Sequence, residues 1–130
     1  MTYFTRLELT CRCGCGLMSY QGGFLDKLHD LRQEFGKPMV PTSACRCARH
    51  NATVSKLAPR NSLHIGDFST RPGHSGCMAI DIATPDGTYR GELFRLAWAR
   101  QWSIGWNAKQ GFLHLDRRVD LGMPQTTFDY

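Results

Sequence analysis

The feature that most constrains the fold is a carboxylate inside an apolar run. Residues 78–83 read MAIDIA, which predicts a buried β-strand with Asp81 near its centre. Burying a lone carboxylate is costly, so Asp81 needs a cation, a metal ion or several hydrogen-bond donors around it. A purely structural ion pair would meet that need, and so would a metal site.

A second polar residue interrupts a second apolar strand. Residues 111–118 read GFLHLDRR, in which His114 stands between two leucines. Alternate residues of a strand project from the same face, so His114 shares one face with Phe112 and Asp116. Taken alone, such a histidine is more often a hydrogen-bonded core residue than a metal ligand.

Together, these two residues indicate a catalytic zinc site. Such sites commonly take two histidines and one carboxylate, and they leave a fourth position open for water. Asp81 and His114 therefore need one further histidine. His64 and His74 both lie in the segment before the Asp81 strand, and spacing alone does not separate them.

The remaining pattern predicts an α+β fold in which helices flank a small, largely antiparallel sheet. Apolar residues at helical spacing predict helices over Gly23–Phe35, Ala48–Leu57 and Tyr89–Gln101. The other expected strands are Met39–Ser43, Ser103–Asn107 and Gly111–Arg117, and a long loop is expected over Ala58–Ser75. A chain of 130 residues corresponds to a single domain, residues 1–130.

Composition excludes several classes of protein. Hydrophobic residues make up 42% and charged residues 21%, which is a globular balance. No apolar run approaches the ~20 residues that cross a bilayer, so we expect no membrane insertion. The opening MTYFTRLELTCRCGCG lacks the apolar centre of a secretory signal, which favours synthesis in the cytoplasm. The net charge of +5 favours an anionic partner without choosing among nucleic acid, lipid head groups and bacterial cell wall.

The cysteines form an unusual pattern. The six are Cys11, Cys13, Cys15, Cys45, Cys47 and Cys77. The first three alternate along the chain, and the next two repeat the same step. On a strand, alternate thiols would converge on one face. Structural zinc usually draws on CxxC pairs, so the CxC spacing matches a zinc site only weakly. A second zinc, free buried thiols, a late disulfide and a thiol nucleophile without an obvious partner all remain open.

Several short motifs together resemble a known family. TSACRCARHN, NSLH, MAIDI and GFLHLD follow one another as in zinc D-Ala-D-Ala carboxypeptidases and phage L-alanyl-D-glutamate endopeptidases, whose fold hedgehog signalling domains share. The family pattern runs SxxR, HN, SxH, a glycine, AxD and a final histidine motif. The matching residues are Ser43, Arg46, His50, Asn51, Ser62, His64, Gly76, Ala79, Asp81 and His114. ELTCRCGCG and FLDKLHDLR also look like the lead-in of such phage proteins, so the resemblance covers nearly the whole chain.

This resemblance implies a zinc peptidase that hydrolyses an amide bond in the stem peptide of peptidoglycan. His64, Asp81 and His114 would bind the zinc. Arg46 would bind the substrate and help to neutralise the developing oxyanion. Ser43, also at the substrate-binding site, would steady the loop that carries Arg46. The implied protein is a phage or prophage endolysin, expected to be a monomer, that acts at the bacterial cell wall after release or phage delivery.

Two departures from the family pattern affect the site. The family places its first histidine seven residues before the aspartate, whereas His64 stands seventeen residues before Asp81. His74 has the expected separation but lacks the SxH context, so we favour His64. The family's acidic residue, three positions before the last histidine, is replaced by Gly111. Asp116 is the nearest carboxylate that could act as the general acid/base, and its other possible role is to orient His114 or to pair with Arg117.

Two rival hypotheses come from other classes of protein. A non-catalytic cell-wall-binding or virion structural module would keep the fold, and the missing acidic residue at position 111 favours it. A nucleic-acid binder would build a zinc knuckle from Cys11, Cys13, Cys15 and a histidine. The cysteine spacing fits such a knuckle poorly, so we expect no nucleic-acid partner.

Overall fold

The computed structural model describes residues 3–67 and 71–130, and its centre is one open five-stranded sheet. The elements are α1 (Arg6–Leu9), α2 (Phe24–Phe35), β1 (Pro41–Ser43), α3 (Ala48–Val54), β2 (Ala79–Ala83), α4 (Gly87–Ala99), β3 (Ser103–Asn107), β4 (Phe112–Asp116), a 3-10 helix (Arg118–Leu121) and β5 (Thr127–Asp129). The strand order is β1-β2-β4-β3-β5, and only the β3–β5 pair is parallel. The predicted α+β fold with a largely antiparallel sheet is confirmed.

Strand register gives the two faces of the sheet different chemistry. Leu115 of β4 pairs with Ile80 on the neighbouring strand β2 and with Ile104 on the other neighbouring strand, β3. These three apolar side chains therefore share one face of the sheet. The alternate positions carry Asp81 opposite His114, together with Asp116. A shift of one residue would exchange the two faces, so burial of the apolar set fixes where the polar residues lie.

Helix α2 shows how local signals place an element. Phe24, Leu28 and Leu31 lie one turn apart and are all buried in the core. Gly36 ends the helix in the left-handed conformation at φ 73°, where its N–H donates to the carbonyl of Arg32. The predicted helix over 23–35 is therefore confirmed.

Three elements were not predicted from the sequence: α1, the 3-10 helix and β5. Helix α1 is held by a capping box, in which the Thr5 hydroxyl accepts from the Glu8 N–H and the Glu8 carboxylate accepts from the Thr5 N–H. The TxxE spacing that signals such a box was present in the sequence.

The remaining expectations have mixed outcomes. Within the predicted loop over 58–75, positions 58–67 and 71–75 hold neither a helix nor a strand, and positions 68–70 lie outside the described residues. Within the described ranges, no helix combines the length and the apolar character needed to cross a membrane. The assignment of residues 1–130 to a single domain stays a prediction.

Candidate metal centre

Three predicted ligands meet on the polar face of the sheet. Asp81 of β2 and His114 of β4 are paired across the strands, so their side chains project together. The Nδ1 atom of His114 lies 3.0 Å from Oδ1 of Asp81. The Nε2 atom of His64, from the segment before β2, lies 3.1 Å from the same oxygen and 3.2 Å from His114 Nδ1.

Backbone hydrogen bonds hold the His64 segment beside the sheet. The Arg46 N–H donates to the carbonyl of His64, and the Gly66 N–H donates to the carbonyl of Arg46, both at 2.8 Å. A side chain at position 66 would not fit, because a Cβ there would lie 2.5 Å from Cys45 Sγ and 2.9 Å from the Ser19 carbonyl oxygen. The close approach of these backbones therefore requires glycine at position 66.

The outer nitrogen of each histidine is engaged by an acceptor. His64 Nδ1 donates to the carbonyl of Ala44 at 2.7 Å, and His114 Nε2 donates to Oδ2 of Asp116 at 2.7 Å. Each neutral ring therefore presents its other nitrogen as a lone pair towards Oδ1 of Asp81. Three acceptor atoms that converge in this way repel one another unless a proton or a metal ion lies among them.

The donor set fits zinc. Nitrogen ligands at ~2.0–2.1 Å from a tetrahedral zinc ion are about 3.3 Å apart. The ligand atoms of the cluster lie 3.0 to 3.2 Å from one another, and all three residues are buried. Two histidines and one aspartate leave a fourth position for water or substrate, which is the arrangement of catalytic zinc sites.

Charges in the cluster determine where a proton resides. Burial raises the pKa of Asp81, but the charge of His64 and the hydrogen bonds with His114 and His64 outweigh burial and hold this pKa below its usual range. Burial lowers the pKa of His114, yet hydrogen bonds to Asp116 and Asp81 raise it to about 9. For His64, burial dominates and lowers the pKa. A proton in this cluster therefore resides on His114, and a metal ion must displace it.

Asp116 lies behind His114, with both oxygens engaged. Its Oδ2 atom accepts from His114 and from Arg118 Nη2, and its Oδ1 atom accepts from the Arg118 N–H and Nε. Burial raises the pKa of Asp116, but the hydrogen bonds from His114 and Arg118 outweigh burial and lower it. These contacts suit a residue that orients His114. The general acid/base role of Asp116 stays a prediction.

Arg46 lies on the other side of the aspartate. Its Nη2 atom is 3.4 Å from Oδ2 of Asp81, its Nε donates to the Ser43 hydroxyl at 3.0 Å, and its Nη1 donates to Oδ1 of Asn51 at 3.0 Å. Two of its three nitrogens are therefore fixed by neighbours, and the guanidinium plane is held in one orientation. Ser43 makes the contact expected of a residue that steadies Arg46, and its contact with substrate stays a prediction.

The family model described as Peptidase M15 matches residues 2–116. The chain belongs to the peptidase M15 family. M15 peptidases are zinc-dependent metallopeptidases, and the matched range includes His64, Asp81 and His114, which we call the His/Asp cluster. Searches of curated proteins and of solved structures found no match.

A groove of about 780 Å³ opens beside Asp81 in this M15 peptidase. Its basic lining residues are Arg12, Arg46, Lys56 and Lys109. Among the described residues that line it, Asp81 is the one carboxylate. A smaller cleft of about 220 Å³ is lined by His114, and Ser55, Leu57 and Tyr130 border both spaces. Asp81, a candidate ligand in this M15 peptidase, therefore borders a positively charged groove.

Some residues lie elsewhere than the sequence suggested, and others were missed. His74, the rival to His64, lies outside the group of converging ligand atoms in the described part of the chain. Tyr130 was missed, although its ring centroid is 4.6 Å from that of His114 and its hydroxyl is 3.5 Å from Arg46 Nη2. The ion pair of Asp116 was expected with Arg117, but Arg118 makes it, two residues along the DRR sequence, and Arg117 pairs with Asp120 instead.

Proposed function

We propose that this M15 peptidase hydrolyses an amide bond in the stem peptide of peptidoglycan, with zinc bound by His64, Asp81 and His114. One observation carries the proposal. Two imidazole nitrogens and a carboxylate oxygen, 3.0 to 3.2 Å apart, converge beside an open groove. The implied site of action is the bacterial cell wall.

The charge of the groove supports an anionic peptide as the substrate. Stem peptides carry free carboxylates, and a basic cleft raises the local concentration of such a ligand. A volume of about 780 Å³ lies within the range of substrate clefts. Phe112 adds an apolar surface to the same groove, against which aliphatic parts of the peptide can pack.

The metal ligands, Asp116 and Arg46 have separate roles in the proposed hydrolysis. Bound at the three ligands, zinc supplies a water of lowered pKa, about 7, and polarises the substrate carbonyl. Asp116 holds the Nε2–H of His114 and so keeps Nδ1 directed at the metal position. Arg46 presents Nη2 at the groove, where it binds a substrate carboxylate or carbonyl and opposes the negative charge that develops on the oxygen.

The contacts of Asp116 bear on its predicted acid/base role. To take a proton from a nucleophilic water, Asp116 would have to release Arg118 or His114, which together engage both of its oxygens. We therefore assign Asp116 as a positioning residue for His114. This assignment is tested separately from the peptidase activity.

The test uses the purified chain, reduced and loaded with zinc, on intact peptidoglycan. We expect new amino groups to be released, a chelator to stop their release, and added zinc to restore it. Mass spectrometry of the products distinguishes release of D-alanine from cleavage between L-alanine and D-glutamate. Hydrolysis that persists after complete metal removal would contradict the proposal.

A second candidate function is a cell-wall-binding or virion structural module without catalysis. Gly111 favours it, because this residue occupies the turn between β3 and β4 at φ 74°, where many family members carry an acidic side chain. Such a module would sediment with peptidoglycan and release no amino groups, whether or not zinc is bound. The same assay therefore distinguishes the two candidates.

A further inference from the structure

Four cysteines form a second cluster, outside the His/Asp cluster. Cys11, Cys13 and Cys15 come from the turn after α1, and Cys47 immediately precedes α3. All four sulfur atoms lie within 4.8 Å of one another. The Sγ atoms of Cys11 and Cys13 are 3.4 Å apart, and those of Cys13 and Cys47 are 3.7 Å apart. All four cysteines are free thiols.

The glycines of the CGCG sequence bring three of these sulfurs together. Gly14 and Gly16 adopt φ values of 87° and 81°, which side-chain-bearing residues rarely reach. The turn is closed by a hydrogen bond from the Cys11 N–H to the carbonyl of Leu17 at 2.9 Å. The thiols therefore converge by a reversal of the chain, and not on one face of a strand as the alternation had suggested.

The spacing of the sulfurs matches a metal site. Thiolates at ~2.3 Å from a tetrahedral zinc ion are about 3.8 Å apart, whereas disulfide-bonded sulfurs are about 2.05 Å apart. We propose that Cys11, Cys13, Cys15 and Cys47 bind a second, structural zinc ion. Four thiolates complete the tetrahedron and leave no position for water, so this ion holds the chain together and takes no part in hydrolysis.

Backbone donors surround the sulfurs in the way that thiolate ligands require. The Cys47 N–H donates to Cys11 Sγ and the His50 N–H donates to Cys47 Sγ, both at 3.3 Å. Such N–H donors stabilise the negative charge of zinc-bound sulfur and fix its direction. By contrast, Cys45 and Cys77 are fully buried and donate to the carbonyls of Ser19 and Ala79.

The second ion would act on the groove through the two residues next to its ligands. Arg12, between Cys11 and Cys13, lines the groove and donates to the carbonyl of Pro41 at 3.0 Å. Arg46, adjacent to Cys47, faces Asp81. Zinc at the cysteines would thus join the N-terminal segment to the loop that carries Arg46. The inference does not depend on the peptidase activity, because the cysteines share no ligand with the His/Asp cluster.

The experiment measures metal content and ligand type in reduced protein. We expect two zinc ions per wild-type chain, and X-ray absorption at the zinc edge should show sulfur as well as nitrogen and oxygen neighbours. Cys13→Ser/Cys15→Ser should lose half of the zinc and all of the sulfur signal. The matched control, Cys45→Ala/Cys77→Ala, removes the same number of thiols and should keep both ions.

A second arm does not depend on the folding of any cysteine variant. Cobalt added to the wild-type chain should give the intense near-ultraviolet bands of sulfur-to-cobalt charge transfer, and His64→Ala/Asp81→Ala should keep these bands. One zinc per wild-type chain without sulfur neighbours would overturn the proposal. So would a Cys13→Ser/Cys15→Ser variant that keeps the wild-type zinc content, or a cobalt-loaded wild-type chain that lacks the charge-transfer bands.

Discussion

The His/Asp cluster and the cysteine cluster each offer ligands to a metal ion, but the chain assembles them differently. The ligands of the His/Asp cluster stand 17, 33 and 50 residues apart. Strand register brings Asp81 and His114 together, and His64 joins them from a segment whose backbone is hydrogen-bonded to Arg46. Three of the four cysteines come from one short turn, and only Cys47 is distant, 34 residues from Cys13. Long-range backbone pairing assembles the His/Asp cluster, whereas a local turn brings together most of the cysteine cluster.

The difference shows which properties separate a catalytic metal site from a structural one. The His/Asp cluster has three ligands and borders a basic groove, so a fourth position is available to substrate. The cysteine cluster has four ligands, and none of them lines that groove among the described residues. The open fourth position and the neighbouring groove therefore suit the His/Asp cluster to catalysis. Four ligands away from the groove suit the cysteine cluster to a structural role.

The largest expected effect comes from removing a ligand of the His/Asp cluster. His64→Ala should lower kcat/KM on stem peptide by roughly 10³-fold or more, because the ion supplies several kcal/mol of transition-state stabilisation. Zinc content should fall from two ions per chain to one. His74→Ala is the matched control and should keep both the activity and the zinc. An active His64→Ala variant beside an inactive His74→Ala variant would exchange the roles of the two histidines.

The next effect separates substrate binding from metal binding. Arg46→Lys should lower kcat/KM by roughly 10²-fold with no loss of zinc, because lysine keeps the charge but lacks the fork that Ser43 and Asn51 orient. Steady-state kinetics and metal analysis of the same preparation check this. Arg49→Lys, at an exposed position three residues further on, should behave as wild type. Loss of zinc from Arg46→Lys would show that the arginine supports the metal centre itself.

The sequence predicted the strands of the site well, because their signal is local. MAIDIA holds one titratable residue in an apolar run and FLHLD holds two, and both segments form buried strands. That Asp81 lies directly opposite His114 was not predictable in the same way. Register depends on which apolar side chains pack in the core, and this is settled by the whole sheet.

Other features depended on three-dimensional contacts that spacing does not encode. His64 joins the cluster because its backbone pairs with that of Arg46, which lies 18 positions earlier in the chain. Asp116 shares a face with His114, as predicted. Because two residues along a strand span about 6.6 Å, the Asp116 carboxylate contacts the outer nitrogen of the His114 ring and not the nitrogen that faces Asp81. Cys47 joins the other cysteines through contacts with residues more than 30 positions earlier, since its N–H donates to Cys11 Sγ and its sulfur lies 3.7 Å from that of Cys13.

A smaller effect tests how the His/Asp cluster depends on its supporting carboxylate. Asp116→Asn should weaken zinc binding at this cluster by about 10- to 100-fold, because the amide no longer holds the Nε2–H of His114 as firmly. Activity should return towards the wild-type kcat at higher zinc concentration. Asp120→Asn removes a carboxylate that pairs with Lys27 and Arg117, and it serves as the matched control. If kcat stays low at saturating zinc, Asp116 transfers protons, as the sequence first suggested.

The smallest expected effect is the number of protons that the His/Asp cluster releases when it binds zinc. Hydrogen bonds to Asp116 and Asp81 raise the pKa of His114 to about 9, so the metal-free cluster holds a proton near neutral pH. This proton stabilises the metal-free fold fully below the ordinary histidine pKa of about 6.5, and the stabilisation is lost as pH rises through about 9.

Zinc must displace the same proton, so uptake at about pH 7.5 should release about one proton per ion from the His/Asp cluster. Calorimetry in buffers of different ionisation enthalpy measures this release. The Cys13→Ser/Cys15→Ser background removes the thiol protons of the other cluster from the count. The release should decline above about pH 9, where His114 is already neutral. Zinc uptake without proton release at about pH 7.5 would mean that His114 is neutral before the metal binds, and that Asp116 orients the ring without raising its pKa.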